Sequence, residues 1–390
     1  MKKTILKANF YTPSGRRRDG EIIWCNPVYY WGAPGTGKTE ILSNNAHTLG
    51  MDYFYAIVPS NSDPADVGGL PVIGEDCFRR LPAHWAVEAN AAKSALIFID
   101  ECGDASPAMQ AALQRVINER YVGDLRLKGH VRIVMAGNPI GISTNGFNLS
   151  LPAANRGGHQ ELTFGDRDLE SWVDWLIDSG GDRFDAREID CDTEQRRVLS
   201  IWDKHYADAR GLWSGFIKAN RDRLMSMPDR NNPRASRAWS SPRSTTMAVR
   251  ATAGAACHSL SETDTDEFIG LFVGEDVAGE FAAYRDESDI PDIDDLLAGR
   301  VVWEHDTSRP DRTLVVLSSA VARVIPHDSP NRVQAIETLW RIMEPIAKVD
   351  PDTAASAGRS LVKQKLAGNK SARVVLSLLR PMLKAAGLVK

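Results

Sequence analysis

The chain has 390 residues, of which 43% are hydrophobic and 25% are charged, a composition typical of soluble globular proteins. A chain of this length is too long to fold around one small hydrophobic core, so two or three domains are expected. The formal net charge of −4 at pH 7 provides no general attraction to nucleic acid or to an anionic membrane, so neither is expected as a partner.

Cysteine usage and the amino terminus predict a cytoplasmic protein. No C-x-x-C pair occurs, so neither a disulfide framework nor a zinc site is expected, and a reducing cytosol fits. Met1–Lys7 has basic residues but no apolar stretch of signal-peptide length. No apolar run reaches the roughly 18 residues of a membrane-spanning helix. The densest basic run, Arg16–Arg18, favours a solvated loop over a phosphate-binding patch.

The first predicted elements enclose a phosphate-binding motif. The β-branched and aromatic run Val28–Trp31 predicts a strand. The pattern G-x-x-x-x-G-K-[ST] follows it directly, with a possible helix start behind it. Its residues are Gly32, Ala33, Pro34, Gly35, Thr36, Gly37, Lys38 and Thr39. The pattern predicts a loop whose N–H groups hold phosphate oxygens, with Lys38 reaching the β- and γ-phosphates and Thr39 binding Mg²⁺. An ordinary Gly-rich turn is the alternative, and the flanking elements argue against it.

A second strand and an inserted hairpin are predicted next. Residues 53–58 have the composition of a buried strand. A small β-hairpin is expected near residues 71–80, around the turn residues Gly74, Glu75 and Asp76. Such a hairpin can project into the pore of a ring or lie on the surface, and the pattern alone favours the surface.

An acid pair follows the next predicted strand. The five apolar residues 95–99 predict a strand buried on both faces, as in a parallel sheet. Asp100 and Glu101 come at its carboxyl end, where ligands bind in such sheets. We expect Asp100 to hold Mg²⁺ and Glu101 to orient and polarise the attacking water. The alternative for Glu101 is an exposed acid at a strand end.

Two further polar residues belong to the last strands of this sheet. Asn138 follows the strand 131–137 and is expected to orient the water, the alternative being a turn residue before Pro139. Arg156 follows a short helical turn and precedes a predicted strand over residues 160–164. An arginine there can reach a neighbouring subunit's nucleotide, and surface salt bridging is its alternative.

The rest of the chain is predicted to be mainly helical. A helix is expected over residues 169–176 and a long loop over 220–241. Ser241, Pro242 and Arg243 open a helix that continues over 245–260, and residues 286–292 form an acidic linker. Three domains follow: residues 1–165 with the α/β fold, 166–286 as a helical lid, and 287–390 as a helical extension without a chemical motif.

Taken in order, these motifs resemble those of the AAA+ ATPases. In detail the chain is similar to the MoxR-like branch over residues 66–71, 111–120 and 151–156. The similarity covers roughly residues 25–285. It implies a P-loop NTPase fold of the α/β class, in which a five-stranded parallel sheet lies between helices and a helical lid follows.

The resemblance also implies roles for individual residues. Lys38 and Thr39 correspond to Walker A, Asp100 and Glu101 to Walker B, Asn138 to sensor 1, Arg156 to the arginine finger and Arg243 to sensor 2. Whether Arg243 acts on its own subunit's nucleotide or on the neighbour's stays open. The family usually has an aromatic residue after the finger arginine, whereas Gly157 and Gly158 follow here, which predicts looser packing around Arg156.

The resemblance further implies rings, commonly hexameric, with ATP between the subunits. Similar proteins remodel or activate a protein client, often one with a von Willebrand A domain. We therefore expect an ATPase with ATP and Mg²⁺ at its site and a homo-oligomeric state. Two alternatives stay open, a DNA-directed motor of the same fold and a nucleotide-gated scaffold with negligible turnover.

Overall fold

The computed structural model describes residues 2–139, 149–162, 166–178, 186–229, 232, 236–288, 290–325, 331–364 and 370–388. Two compact units form within the chain. The first contains Met1–Ser200 and Ser226–Glu275, and the second contains Ile201–Met225 and Asp276–Lys390. These units group the chain differently from the three predicted segments, and the three-domain division stays a prediction.

Helices make up most of the described structure. They are α1 (Lys3–Phe10), α2 (Lys38–Thr48), α3 (Pro64–Gly68), α4 (His84–Ala91), α5 (Pro107–Gln114), α6 (Leu151–Ala154), α7 (Asp166–Asp178), α8 (Cys191–Ala219), α9 (Pro242–Cys257), α10 (Glu262–Val273), α11 (Glu275–Glu287), α12 (Ile293–Leu297), α13 (Pro310–Val324), α14 (Arg332–Val349), α15 (Pro351–Lys363) and α16 (Lys370–Ala385). No helix among the described residues is both long and apolar enough to span a membrane.

The strands form one central sheet and three small hairpins. They are β1 (Pro13–Arg16), β2 (Ile22–Trp24), β3 (Val28–Gly32), β4 (Tyr53–Ile57), β5 (Leu70–Ile73), β6 (Phe78–Leu81), β7 (Ala95–Ile99), β8 (Tyr121–Val122), β9 (Leu125–Arg126), β10 (Val131–Gly137) and β11 (Gly158–Leu162).

The central sheet has five parallel strands in the order β11-β3-β10-β7-β4. Every residue of β3, β7 and β10 is buried, as expected for a parallel sheet covered on both faces. The predicted sheet is confirmed. Because parallel strands end at the same edge, Gly32, Asp100 and Asn138 are brought to one side of the sheet.

The last strand begins earlier than predicted. It starts at Gly158 rather than at residue 160, because Gly158 pairs with Val28 and its N–H donates to the Pro27 carbonyl at 2.8 Å. Two of the residues predicted in this strand, Thr163 and Phe164, lie outside the described part of the chain.

The packing beside Arg156 is tight, contrary to the prediction. A Cβ atom on Gly157 would lie 3.0 Å from Cε2 of Tyr29, and one on Gly158 would lie 2.8 Å from Cε1 of Phe272. The two glycines therefore allow neighbouring rings to approach the backbone, where an aromatic residue would not fit.

The amino-terminal region contains a helix and a hairpin that were not predicted. Helix α1 buries Ile5, Leu6 and Phe10, and β1 pairs with β2. The side chain of Arg17 is only 6% exposed, and it pairs with Glu21 and donates to the Leu127 carbonyl. The basic run is therefore not a uniformly solvated loop, because its middle arginine is a structural residue.

The inserted hairpin is present, as strands β5 and β6 pair antiparallel. All of its residues are exposed, including the apolar Ile73 and Phe78, and the exposed Cys77 lies at its tip. Its base is fixed by close backbone contact: a Cβ atom on Gly69 would lie 2.5 Å from Cα of Gly123.

Helices α9 and α10 belong to the first unit. They pack on each other and on α1, and α10 also packs on the edge strand β11. Lys2 forms ion pairs with Asp264 at 2.8 Å and Glu267 at 2.7 Å, and the Gln160 amide donates to Glu267 at 3.1 Å. Helix α10 is thus bound to the edge strand of the sheet in its own unit, and α9 is held through α10 and α1.

The second unit has a helical core. The residues on its inner faces include Leu296, Leu317, Leu339, Trp340 and Leu379. The carboxyl-terminal half of α8 contributes to this unit through Trp213, whose ring stacks on Phe281 with 4.0 Å between centroids.

Candidate functional site

The loop between β3 and α2 has the backbone geometry of a phosphate cradle. Gly35 and Gly37 adopt positive φ angles of 78° and 72°, a conformation that glycine takes without strain. The N–H groups in the first turn of α2 have no acceptor within the helix, and they form the positive end of the helix dipole. Such a helix start binds anions well.

Lys38 lies at the centre of the cradle. Its side chain is largely buried, and its Nζ donates to the Gly32 carbonyl at 2.8 Å, the Ala33 carbonyl at 3.0 Å and Oδ1 of Asn138 at 3.4 Å. Burial lowers the pKa of Lys38, whereas the charges of Asp100 and Glu101 raise it. A buried cation facing oxygen atoms at the cradle suits a polyanionic ligand.

Thr39 and Asp100 meet as a pair of oxygen ligands. The Thr39 hydroxyl donates to Oδ2 of Asp100 at 2.6 Å. The other oxygen of Asp100 accepts from the Glu101 N–H at 2.9 Å. Hydroxyl and carboxylate oxygens are the ligands that Mg²⁺ prefers, and Mg²⁺ in such sites takes one or two protein ligands together with phosphate oxygens. The pair therefore fits this ion. No cluster of three or more His, Cys, Asp or Glu residues suited to a metal occurs in the described ranges.

Glu101 is held in an uncommon backbone conformation. Its φ and ψ angles are 50° and 33°, in the left-handed region that non-glycine residues seldom adopt. The carboxylate accepts a hydrogen bond from the Ser60 hydroxyl at 2.6 Å. Strained residues of this kind concentrate at functional sites. The Glu101 side chain thus reaches the short turn Pro59–Asn61 that follows β4.

The two predicted arginines lie apart from these contacts within one chain. Arg156 is half-buried, and its Nη1 donates to Oε1 of Gln114 at 2.6 Å. Arg243 is exposed as the second residue of α9. It makes no hydrogen bond or ion pair with a described residue. One chain therefore brings together Lys38, Thr39, Asp100, Glu101 and Asn138, while Arg156 and Arg243 take no part in these contacts.

Sequence reasoning missed a buried tryptophan–histidine pair next to the cradle. Trp31 lies one residue before Gly32, and its Nε1–H donates to Nδ1 of His159 at 2.9 Å. His159 must then carry its proton on Nε2, which donates to the Ala154 carbonyl at 2.8 Å. Burial lowers the pKa of His159 to about 4. The available signal was a Trp directly before the first motif glycine together with a His in the paired strand.

Comparison with known proteins agrees with this geometry. Residues 27–152 match the family model of the AAA domain, dynein-related subfamily, and this segment contains the cradle, the acid pair and Asn138. The chain has the P-loop AAA+ fold. The matched segment, the parallel sheet order and the helical carboxyl-terminal region together confirm the predicted fold class.

One solved structure and the curated proteins complete the comparison. A crystal structure from Cytophaga hutchinsonii ATCC 33406, of a protein provisionally assigned as an ATPase, is 15% identical with a TM-score of 0.44. The matched region covers 69% of this chain and 79% of the chain in that crystal structure. At this level the similarity adds nothing to the AAA+ assignment. No curated protein matches the chain.

Proposed function

We propose that this AAA+ protein hydrolyses ATP, as a ring-forming ATPase of the MoxR-like kind. One observation carries the proposal: the side chains of Lys38 and Thr39 reach the polar residues that directly follow β10 and β7, two neighbouring strands of the sheet. The Thr39 hydroxyl is 2.6 Å from Asp100, and the Lys38 ammonium is 3.4 Å from Asn138. In a P-loop site the hydroxyl and the acid hold Mg²⁺, the lysine binds phosphate, and a polar residue beside them orients the attacking water.

Each residue has a defined task in this proposal. The N–H groups of the Gly32–Thr39 loop and the Lys38 ammonium bind the triphosphate. Thr39 and Asp100 hold Mg²⁺, which supplies neutralising charge for the β- and γ-phosphates. Glu101 accepts a proton from the attacking water, and Asn138 orients that water by its amide.

Arg156 completes the site from the adjacent subunit. Its contacts within one chain are to Gln114 and not to the cradle, which is what a residue used by a neighbour requires. Arginines of this type accelerate nucleotide hydrolysis by about 10³–10⁵. The sensor role of Arg243 is part of the same proposal, on either its own or the neighbouring nucleotide.

Three substitutions test the chemistry. Lys38→Ala should abolish ATP binding, whereas Lys93→Ala, which removes an exposed lysine, should preserve it.

Glu101→Gln should bind ATP and lose about 10²–10⁴ in turnover, since a general base contributes that much. Arg156→Ala should bind ATP and lose turnover, with Arg18→Ala as the exposed control. Nucleotide titration and phosphate release measure these outcomes, and normal turnover of Arg156→Ala would contradict its role.

Assembly is tested by concentration. If the site is completed by a neighbour, ATPase activity per subunit should rise as the ring forms, measured by phosphate release alongside light scattering. A monomer that hydrolyses ATP at a concentration-independent specific rate would reject the shared site.

The client belongs to the same proposal. We expect a protein with a von Willebrand A domain, encoded beside this gene, to bind the ring and to change its ATPase rate. Pull-down and phosphate release with that purified protein measure both effects, and an unaltered rate without binding would remove it as the client.

One observation favours the DNA-directed alternative. No Asp or Glu follows Asp352 in the chain. Helix α16 presents four exposed cations, Lys370, Arg373, Arg380 and Lys384, whose spacing places them on one helical face. Such a stripe suits phosphate backbones. A gel-shift assay with ATP, comparing the natural protein with a variant carrying Glu at these four positions, separates the alternatives. A shift that the four substitutions abolish would support the DNA-directed motor.

A further inference from the structure

Asn155 lies between helix α6 and Arg156, with both ends of its side chain in use. Its Nδ2 donates to the Trp239 carbonyl at 2.9 Å, and its Oδ1 accepts from the Ser241 hydroxyl at 2.6 Å. The residue is only 7% exposed, so water cannot replace these partners easily. A buried amide left without partners loses its hydration with no hydrogen bond in exchange, which favours keeping both bonds.

Ser241 is the residue that starts helix α9. Its hydroxyl accepts from the Ser244 N–H, and the Ser244 side chain accepts from the Ser241 N–H, which together form a capping box. The same hydroxyl donates its own proton to Asn155. The hydrogen bond therefore joins the residue before Arg156 to the residue two positions before Arg243.

The Arg156 segment is fixed from two more directions. The Arg156 N–H donates to the Ala153 carbonyl at 3.1 Å, and its guanidinium donates to Gln114. The Ala154 carbonyl accepts from His159, which in turn accepts from Trp31 at the end of β3. Buried hydrogen bonds thus run from the strand before the cradle to the start of α9.

We propose that Asn155 is a positioning residue, which holds the segment of Arg156 and the helix of Arg243 in one register through its bond to Ser241. The inference rests on the proposed ATPase function. The Asn155–Ser241 bond sets where both arginines stand relative to the sheet, and neither Asn155 nor Ser241 belongs to the phosphate cradle. Breaking the bond lowers turnover because the two guanidinium groups are no longer presented together, while the cradle keeps its affinity.

The test compares two isosteric substitutions at one position. Ser241→Thr keeps the hydroxyl donor, and Ser241→Val removes it with the same shape. We expect Ser241→Thr to retain kcat and Ser241→Val to lose at least tenfold, while the Kd of a non-hydrolysable ATP analogue stays within twofold in both. Asn155→Ala, which also removes the bond to Trp239, should lose at least as much as Ser241→Val. The double variant should lose no more than Asn155→Ala, since both changes break the Asn155–Ser241 bond.

A second capping serine provides the control. Ser261 caps α10 by accepting from the Asp264 N–H at 3.1 Å and has no recorded bond to Asn155. Ser261→Val should therefore keep kcat. The proposal is overturned if a folded Ser241→Val turns over ATP at the natural rate, if Ser261→Val loses as much as Ser241→Val, or if the losses of Asn155→Ala and Ser241→Val multiply in the double variant.

A readout without hydrolysis separates this proposal from the ATPase proposal. In the natural protein, the amides of Ala154 to Arg156 and of Ser244 and Thr245 should show equal protection in hydrogen exchange, because the segments open together. Ser241→Val should make their protection unequal. Unequal protection in the natural protein rejects the link even if ATP is never hydrolysed. Equal protection in a protein without ATPase activity rejects only the proposed function and leaves the register link supported.

Discussion

The indole of Trp31 and the imidazole of His159 are nearly parallel, with 5° between their planes. Arg237 lies over the Trp31 ring, 4.3 Å from its centroid. Burial lowers the pKa of His159 to about 4, and the Arg237 charge acts in the same direction, so the imidazole is neutral at neutral pH. One tautomer is then fixed by the donor on one side and the carbonyl on the other.

This neutral histidine predicts acid sensitivity. Between about pH 4 and pH 6.5 the unfolded chain binds a proton at His159 that the folded chain excludes, so the free energy of unfolding should rise with pH across that window. The full effect is about 3 kcal/mol for a shift of this size. In urea unfolding at several pH values, His159→Gln should show a shallower slope. His47→Gln, at an exposed position, should leave the slope unchanged, and an unchanged slope for His159→Gln would contradict the assignment.

At the scale of elements, two helices of the second unit cross at very short range. Gly211 and Gly215 of α8 face Ser319 and Val315 of α13. A Cβ atom on Gly211 would lie 1.7 Å from the Ser319 hydroxyl, and one on Gly215 would lie 2.2 Å from Cγ2 of Val315. The four-residue spacing on both helices lets the backbones approach along one face.

Adding a methyl group at this crossing should destabilise the protein. We expect Gly215→Ala to cost at least about 1–3 kcal/mol through overpacking, although alanine favours helix. Gly279→Ala on α11 is the matched control, because a Cβ atom there meets nothing within 4 Å, and it should be neutral or stabilising. Thermal unfolding measures both, and equal melting temperatures would contradict the crossing.

Elements were predictable where local pattern decides them. The runs at 95–99 and 131–137 are buried on both faces, so their composition identified β7 and β10, and their ends located Asp100 and Asn138. The start of β11 was not predictable, because Gly157 and Gly158 resemble a turn until Tyr29 and Phe272 are seen against them. The role of Asn155 was likewise not predictable, because nothing in the sequence around it indicates a partner and only the tertiary structure brings Ser241 to it.

At the scale of the whole chain, the second unit is discontinuous in sequence. Its core combines residues 276–390 with residues 201–225. Phe281 stacks on Trp213 at 4.0 Å and meets Phe216 edge-on at 5.5 Å. The later segment therefore depends on an earlier helix to cover its aromatic residues, a dependence that the predicted linker at 286–292 did not reveal.

Fragments test this dependence. Residues 276–390 alone should be less stable than the same region in the full chain, because Phe281 loses its two aromatic partners and exposes apolar surface. Adding a peptide of residues 201–225 should restore stability, whereas the peptide with Trp213→Ala and Phe216→Ala should not. Circular dichroism during urea unfolding provides the measurement. A fragment as stable as the intact region would show that the earlier helix is dispensable.

The hairpin tip offers a practical handle. Four of the five thiols, those of Cys25, Cys102, Cys191 and Cys257, are buried, whereas that of Cys77 is exposed. A maleimide dye should thus attach at one known spot of the unmodified polypeptide, without cysteine-free engineering. Its fluorescence anisotropy would then report how freely β5 and β6 move, with and without nucleotide.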